Sequence, residues 1–400
     1  LRQPGFLEAA LTLGKEGMPM LAITNTTLVL EDHFLPDAVL LIQDGKIAAC
    51  GSRRELEVPD GARIVDAKGR FTGPGLIDIH THAGGHHFFH EEPARAASHL
   101  LRHGVTSVLP ALYYTLTPQG FLDAIGRIEA AIASDPLCNI QGIYMEGPYL
   151  NPAFGADRTN NRWAGPIRPE DYAPIIDRAA GLAPIWAVAP EREGIRDFVL
   201  AVKRQVPDAI FTVAHSKASP AQIEALIPLG LHLATHHTNA TGDLPKYPEC
   251  RGVCVDETVN YRDDIYAELI CDSHGIHVDP YMLRLVVKIK GKDRIILISD
   301  AFVMDGPVPP GYDGVTDINF DFEGEIAGSK MTLDEACRNM MVHTGASLVD
   351  IFRYASANPA RLLGWRDRGS IRAGTDADLV IVDHWMQVDT VIKKGQIVKS

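Results

Sequence analysis

Eight short apolar runs recur through the middle of the chain, each broken off by polar residues, and they constrain its fold more than any other feature. They read GLIDI, VTSVLPA, IQGIYM, PIWAVA, IFTVA, LHLAT, AELICD and RIILIS, spread over residues 75 to 299. Amphipathic stretches such as PARAASHLLRHG and TPQGFLDAIGRIEAAIAS separate most of them. Near-continuous apolar strands are what a parallel sheet covered on both faces requires. Strands alternating with helices, eight times over, predict an α/β fold, a TIM-like (β/α)8 barrel over residues 74–367. The stretch NATGDLPKYPECRGVCVDET after the sixth run carries no helical pattern and reads as a long functional loop.

The two ends have a different texture. Residues 20–73 and 368–400 are short strands with tight turns, among them DGK, where Gly45 supplies the positive φ a hairpin needs, and KKGQ. Together they predict one small β-sandwich domain built from both termini. Residues 1–19 lack the continuous apolar core of a signal peptide and are left as an unassigned N-terminal extension.

Charge narrows the partners. Lys plus Arg number 38 against 51 Asp plus Glu, a formal charge of -13. Nucleic acid and anionic membrane both need a basic footprint, so neither is an expected partner. No run of 18 apolar residues is present to span a bilayer. The six cysteines are scattered, and Cys250 and Cys254 have no second pair at zinc-finger spacing. A reduced, cytoplasmic setting is the simplest reading.

In such a barrel the reacting groups lie where strands end. His80 and His82 follow the first run, Glu146 the third, His215 the fifth, His236 the sixth and Asp300 the eighth. In His80-x-His82 the period of two sends both imidazoles to one side of the strand. Each residue alone is more often a hydrogen-bonded core or turn residue than a ligand. The coincidence of one ligand class at five strand ends overrides that reading. The imidazoles and carboxylates of these six residues, Asp300 included, together suit one or two divalent metal ions, zinc first, with iron or manganese as alternatives. Gly84 and Gly85 turn the chain outwards, so His86, His87 and His90 belong to a loop over the mouth, as lid, substrate-facing or exposed residues rather than metal ligands.

At this point PGLIDIHTH, YMEGPYLNP, VAHSKAS, THHTNA, DSHGIHVDP, ISDA and IAGSKMTLDEACRNM stand in an order that resembles the amidohydrolase superfamily. More narrowly it is similar to the N-acetylglucosamine-6-phosphate deacetylase family. The resemblance covers most of residues 21 to 400, and NPARLLGWRDRGSIRAGTDADLVIVD resembles the superfamily's return into its β domain. It implies Glu146, His215 and His236 as the principal metal site, with His80 and His82 as a second site that Glu146 would bridge. It implies Asp300 as the catalytic aspartate, Asn239 and Ala240 as contacts to a sugar phosphate, His277 as a substrate-binding histidine, and a homodimer.

The resemblance breaks where substrate is recognised. The family's carbonyl-polarising histidine after EGP is replaced here, with Asp157 at its place. Arg158 is the nearest donor, with His237 and His274 as rivals. The family's phosphate-binding arginine is missing from register, leaving Lys246 and Arg251 as the loop's cations. The leading expectation is hydrolysis of the acetamide of an N-acetyl amino sugar, 6-phosphorylated, releasing acetate and the amino sugar. A second is another amidohydrolase reaction, N-acyl amino acid hydrolysis or deamination, on a non-phosphorylated substrate. A scaffold built on an inactive form of the fold is disfavoured, because it has no need of a complete ligand set.

Overall fold

A computed structural model describes residues 20–244 and 246–400. The unassigned extension, residues 1–19, lies outside the described residues. All eight apolar runs are strands of one parallel sheet: Leu76–Thr81, Val105–Tyr113, Tyr144–Glu146, Ile185–Val188, Ile210–Val213, Leu231–Ala234, Tyr266–Ile270 and Ile295–Ile298. They neighbour one another in chain order, and the first and last strands come together to nearly close the sheet. Across the seam the Asp300 N–H donates to His80 O at 3.0 Å and the His82 N–H to Ala301 O at 2.9 Å. The fold is therefore the (β/α)8 barrel, and two predicted site segments form its closing seam.

Helices cover the outside because their apolar stripes demand it. Thr117 caps helix Pro118–Ser134 by accepting from the Gly120 N–H, and Phe121, Ala124, Ile125 and Ile128 of that helix are buried. The loop after the sixth strand is shorter than expected: helix Val255–Tyr261 begins inside it, with Glu257 accepting from the Cys254 N–H. A charged capping residue at that spacing is a helix start signal that the apolar count overlooked.

The terminal domain is one eight-stranded sheet drawn from both ends of the chain, seven strands in a row with Arg63–Asp66 as a side branch on Leu21–Val29, and with Phe71–Pro74 pairing to Leu379–Val382. Its two tips meet. Asp44 and Gly45 (φ 50° and 76°) turn one hairpin, Lys394 and Gly395 (φ 46° and 74°) the other. A Cβ on Gly45 would stand 3.1 Å from Lys394 O, so the approach itself calls for glycine. Leu21, Ile23, Leu40, Ile42, Leu379, Ile381 and Ile392 fill the space the ladder encloses. A hairpin of Ile318–Phe320 and Ile326–Ser329 follows the eighth barrel strand and leans over its open end.

Candidate active site

The barrel's mouth opens into a cavity of about 480 Å³ lined by His82, Glu146, His215, His236 and Asp300. His80, immediately beneath, is completely buried. Glu146 divides its two oxygens. Oε2 lies 3.0 Å from His82 Nε2 and 3.7 Å from His80 Nε2. Oε1 lies 2.8 Å from His215 Nε2 and 3.5 Å from His236 Nε2. Asp300 Oδ1 stands 3.4 Å from His82 Nε2 and 3.6 Å from His80 Nε2. Three members of the cluster, His215, His236 and Asp300, have left-handed backbones (φ 42°, 28° and 45°). That conformation costs a non-glycine residue about 1–3 kcal/mol and persists where surrounding structure over-determines it.

Electrostatics fit a cation. Burial alone would raise the pKa of Glu146, but the four imidazoles around it hold the carboxyl well below its ordinary value. Burial opposes protonation of His82, yet Asp300 and Glu146 raise its pKa to about 9. Positive charge is thus drawn between the two carboxylates. His80 Nε2 is buried with no hydrogen-bond partner, and His215 Nε2 faces His236 Nε2 at 3.1 Å. Two ligand groups result, His80–His82–Glu146 and Glu146–His215–His236, each with its donor atoms within 4.8 Å of one another. Imidazole nitrogen and shared carboxylate oxygen are a donor set that zinc, iron and manganese all accept.

The remaining predicted residues divide. Asn239, Ala240, His277 and Arg158 line the cavity, as does Asp157. Asn239 Nδ2 donates to His277 O at 2.8 Å, and Asp272 accepts the backbone N–H of His274, Ile276 and His277. Arg158 is the one Lys or Arg among the described lining residues, and its guanidinium is paired with Glu325 from the covering hairpin. His237 turns the other way, to 3.1 Å from Asn260 Oδ1, and its burial lowers its pKa to about 4. His274 and Lys246 are exposed outside the cavity walls, and Arg251 pairs with Glu257 on the surface. These four are not brought to the site. His86, His87 and His90 also lie off the cavity wall, with His87 Nδ1 2.7 Å from Glu92.

Two contributors went unmarked in the sequence. Gly155 (φ 93°) lets the loop pass so close that a Cβ would sit 2.8 Å from His215 Nδ1. Glu268, in the seventh strand, places Oε2 3.1 Å from His80 Nδ1. The signal for Glu268 was present: an acidic residue in the middle of the apolar run AELICD.

A mouth of this kind, with histidines and carboxylates at the ends of parallel strands, defines the class. The match to the amidohydrolase family runs over residues 72–398, and the chain belongs to that family. Among its relatives is the N-acetylglucosamine-6-phosphate deacetylase of Bacillus subtilis (strain 168), 30% identical over 399 residues that cover 94% of this chain and 96% of that one. The N-acetylgalactosamine-6-phosphate deacetylase of Escherichia coli O157:H7 is 28% identical, covering 92% and 97%. The crystal structure of N-acetylglucosamine-6-phosphate deacetylase from Pasteurella multocida superposes with a TM-score of 0.83 at 25% identity, covering 95% of this chain and all of that one.

Proposed function

We propose that this amidohydrolase removes the acetyl group from an N-acetylated amino sugar, with the 6-phosphate as the leading substrate form. One observation carries the reading: a complete His–Glu–Asp cluster opens into a cavity walled by Asn239, Ala240 and His277. The deacetylase relatives, aligned over nearly their whole length, support the same substrate class.

A divalent metal held by His80, His82, Glu146, His215 and His236, zinc before iron or manganese, would supply Lewis acidity toward water and the acyl carbonyl. The chain's own residues do the rest. Asp300, ionised and turned to the cavity, accepts the proton of the attacking water. It then returns that proton to the nitrogen of the departing amine. Arg158 stands where a donor is needed for an anionic group or the acyl oxygen. His277 and the Asn239–Ala240 backbone orient the sugar. A homodimer and a cytoplasmic setting belong to the same proposal; all six cysteines are free thiols, as a reducing compartment requires. No helix among the described residues is long and apolar enough to cross a membrane.

A second reading of the substrate has its own support. Lys246 and Arg251 stand away from the cavity, while Arg158, the one guanidinium among the described lining residues, is paired with Glu325, and Asp157 adds a carboxylate to the wall. That rim favours a neutral, non-phosphorylated compound. Acetate release measured side by side from N-acetylglucosamine, N-acetylgalactosamine and their 6-phosphates decides between them. The leading reading expects the phosphates to be preferred; equal or faster turnover of the free sugars gives the second. No acetate from any of the four sinks deacetylation of these sugars and leaves another amidohydrolase reaction, N-acyl amino acid hydrolysis or deamination.

A further inference from the structure

Beneath the cluster, the barrel's packing layer is polar where such layers are usually branched and apolar. It draws on alternate strands: His80 from the first, Tyr144 from the third, Thr212 from the fifth and Glu268 from the seventh. Glu268 is fully buried. Its Oε2 accepts from the His236 backbone N–H at 3.3 Å and the Tyr144 hydroxyl at 3.4 Å, as well as from His80 Nδ1. Its Oε1 has no hydrogen-bond partner. A buried carboxylate of this kind is expensive to keep. Elsewhere the fold satisfies such a group fully: Asp378 takes Lys393 Nζ at 2.6 Å and the Lys394 N–H at 2.8 Å. Glu268 has no Lys or Arg in reach among the described residues, and its ionic partner is an imidazole. Stability alone does not account for it.

The geometry of His80 does. A histidine that donates through Nδ1 presents its lone pair at Nε2. Here Nε2 is the orphaned atom facing Glu146 and Asp300. Glu268 holds the ring by its edge, and Tyr144 stacks on its face with centroids 4.4 Å apart. His82 is anchored likewise, Nδ1 lying 3.2 Å from Ala111 O. Nδ1 of His215 and of His236 has no such partner. The two ligand groups therefore differ: one is held from behind by fixed acceptors, the other is not.

We propose that Glu268 is a positioning residue for the second metal position, that of His80, His82 and Glu146, fixing the tautomer and orientation of His80. The proposal rests on the metal-dependent reading above. Its test is zinc titration of chelator-stripped wild type, Glu268→Gln and Glu268→Leu, with calorimetric stoichiometry and affinity for each equivalent. Wild type takes up two equivalents. In Glu268→Leu the equivalent at Glu146, His215 and His236 stays within about threefold, while the other weakens about 10- to 100-fold. Glu268→Gln, which keeps the volume and an acceptor oxygen without the charge, falls between. A merely structural role would instead lower the melting temperature of the metal-free protein and weaken both equivalents together. Two equivalents bound by both variants at wild-type affinity, or equal weakening of both, would overturn the proposal alone. Wild-type uptake of a single equivalent overturns it too, and no zinc uptake removes the metal-dependent reading with it.

Discussion

On the floor of the cavity, six side chains from five strand ends meet, Glu146 central among them and every one of them buried. On its rim, the groups that would choose the substrate sit on loops, and several expected ones point elsewhere. The floor is fixed by hydrogen-bonded strands, and five of its six residues stand one step past an apolar run, with His82 two further on. The rim depends on how long connections fold and on which charges pair, as Arg158 does with Glu325. Chemistry is thus built on the rigid part and selectivity on the adaptable part, the division expected of a barrel enzyme.

The largest effect should come from Glu146, whose two oxygens serve both ligand groups. Glu146→Ala is expected to lose bound zinc and reduce acetate release to background; a variant that keeps both would separate the metal from the cluster. Next, Asp300→Asn should lower kcat by about 10²- to 10⁴-fold while zinc content stays at the wild-type level. Retained turnover would take the proton-transfer role away from Asp300. On the rim, Arg158→Ala removes a charge-assisted contact, a loss of about 1.5–3 kcal/mol or roughly tenfold and more in kcat/KM. An unchanged kcat/KM would place the substrate clear of this side of the cavity. Smallest, Lys246→Ala and His274→Ala should each change kcat/KM by less than about twofold, as exposed substitutions do. A rise in KM confined to the 6-phosphate would bring Lys246 back into the site.

The floor was legible in the sequence for a physical reason. A parallel strand buried on both faces is a continuous apolar run, and its end is the first place a polar residue can stand. His80, His82, Glu146, His215, His236 and Asp300 all obey that rule. Glu268 does not, because it lies inside its strand, within an otherwise apolar run. His237 shows the converse. Neighbouring residues at a strand end point to opposite sides, so with His236 turned to the cavity, His237 goes to Asn260 on helix Val255–Tyr261. Lys246 and Arg251 are near the site in the chain, which a loop of that length does not convert into proximity in space. Arg251 is taken up instead by Glu257, a partner six residues away. Arg158 was singled out and does line the cavity, but nothing in the sequence pointed to its pairing with Glu325, 167 residues further on.

The cluster is proposed as a metal centre for amide hydrolysis, and every role assigned above depends on that. The most direct measurement is acetate release from an N-acetyl amino sugar or its 6-phosphate by chelator-stripped protein, before and after zinc is added back. The stripped enzyme is expected to be inert, its turnover returning with bound zinc. Full turnover by protein shown to be free of metal would contradict it.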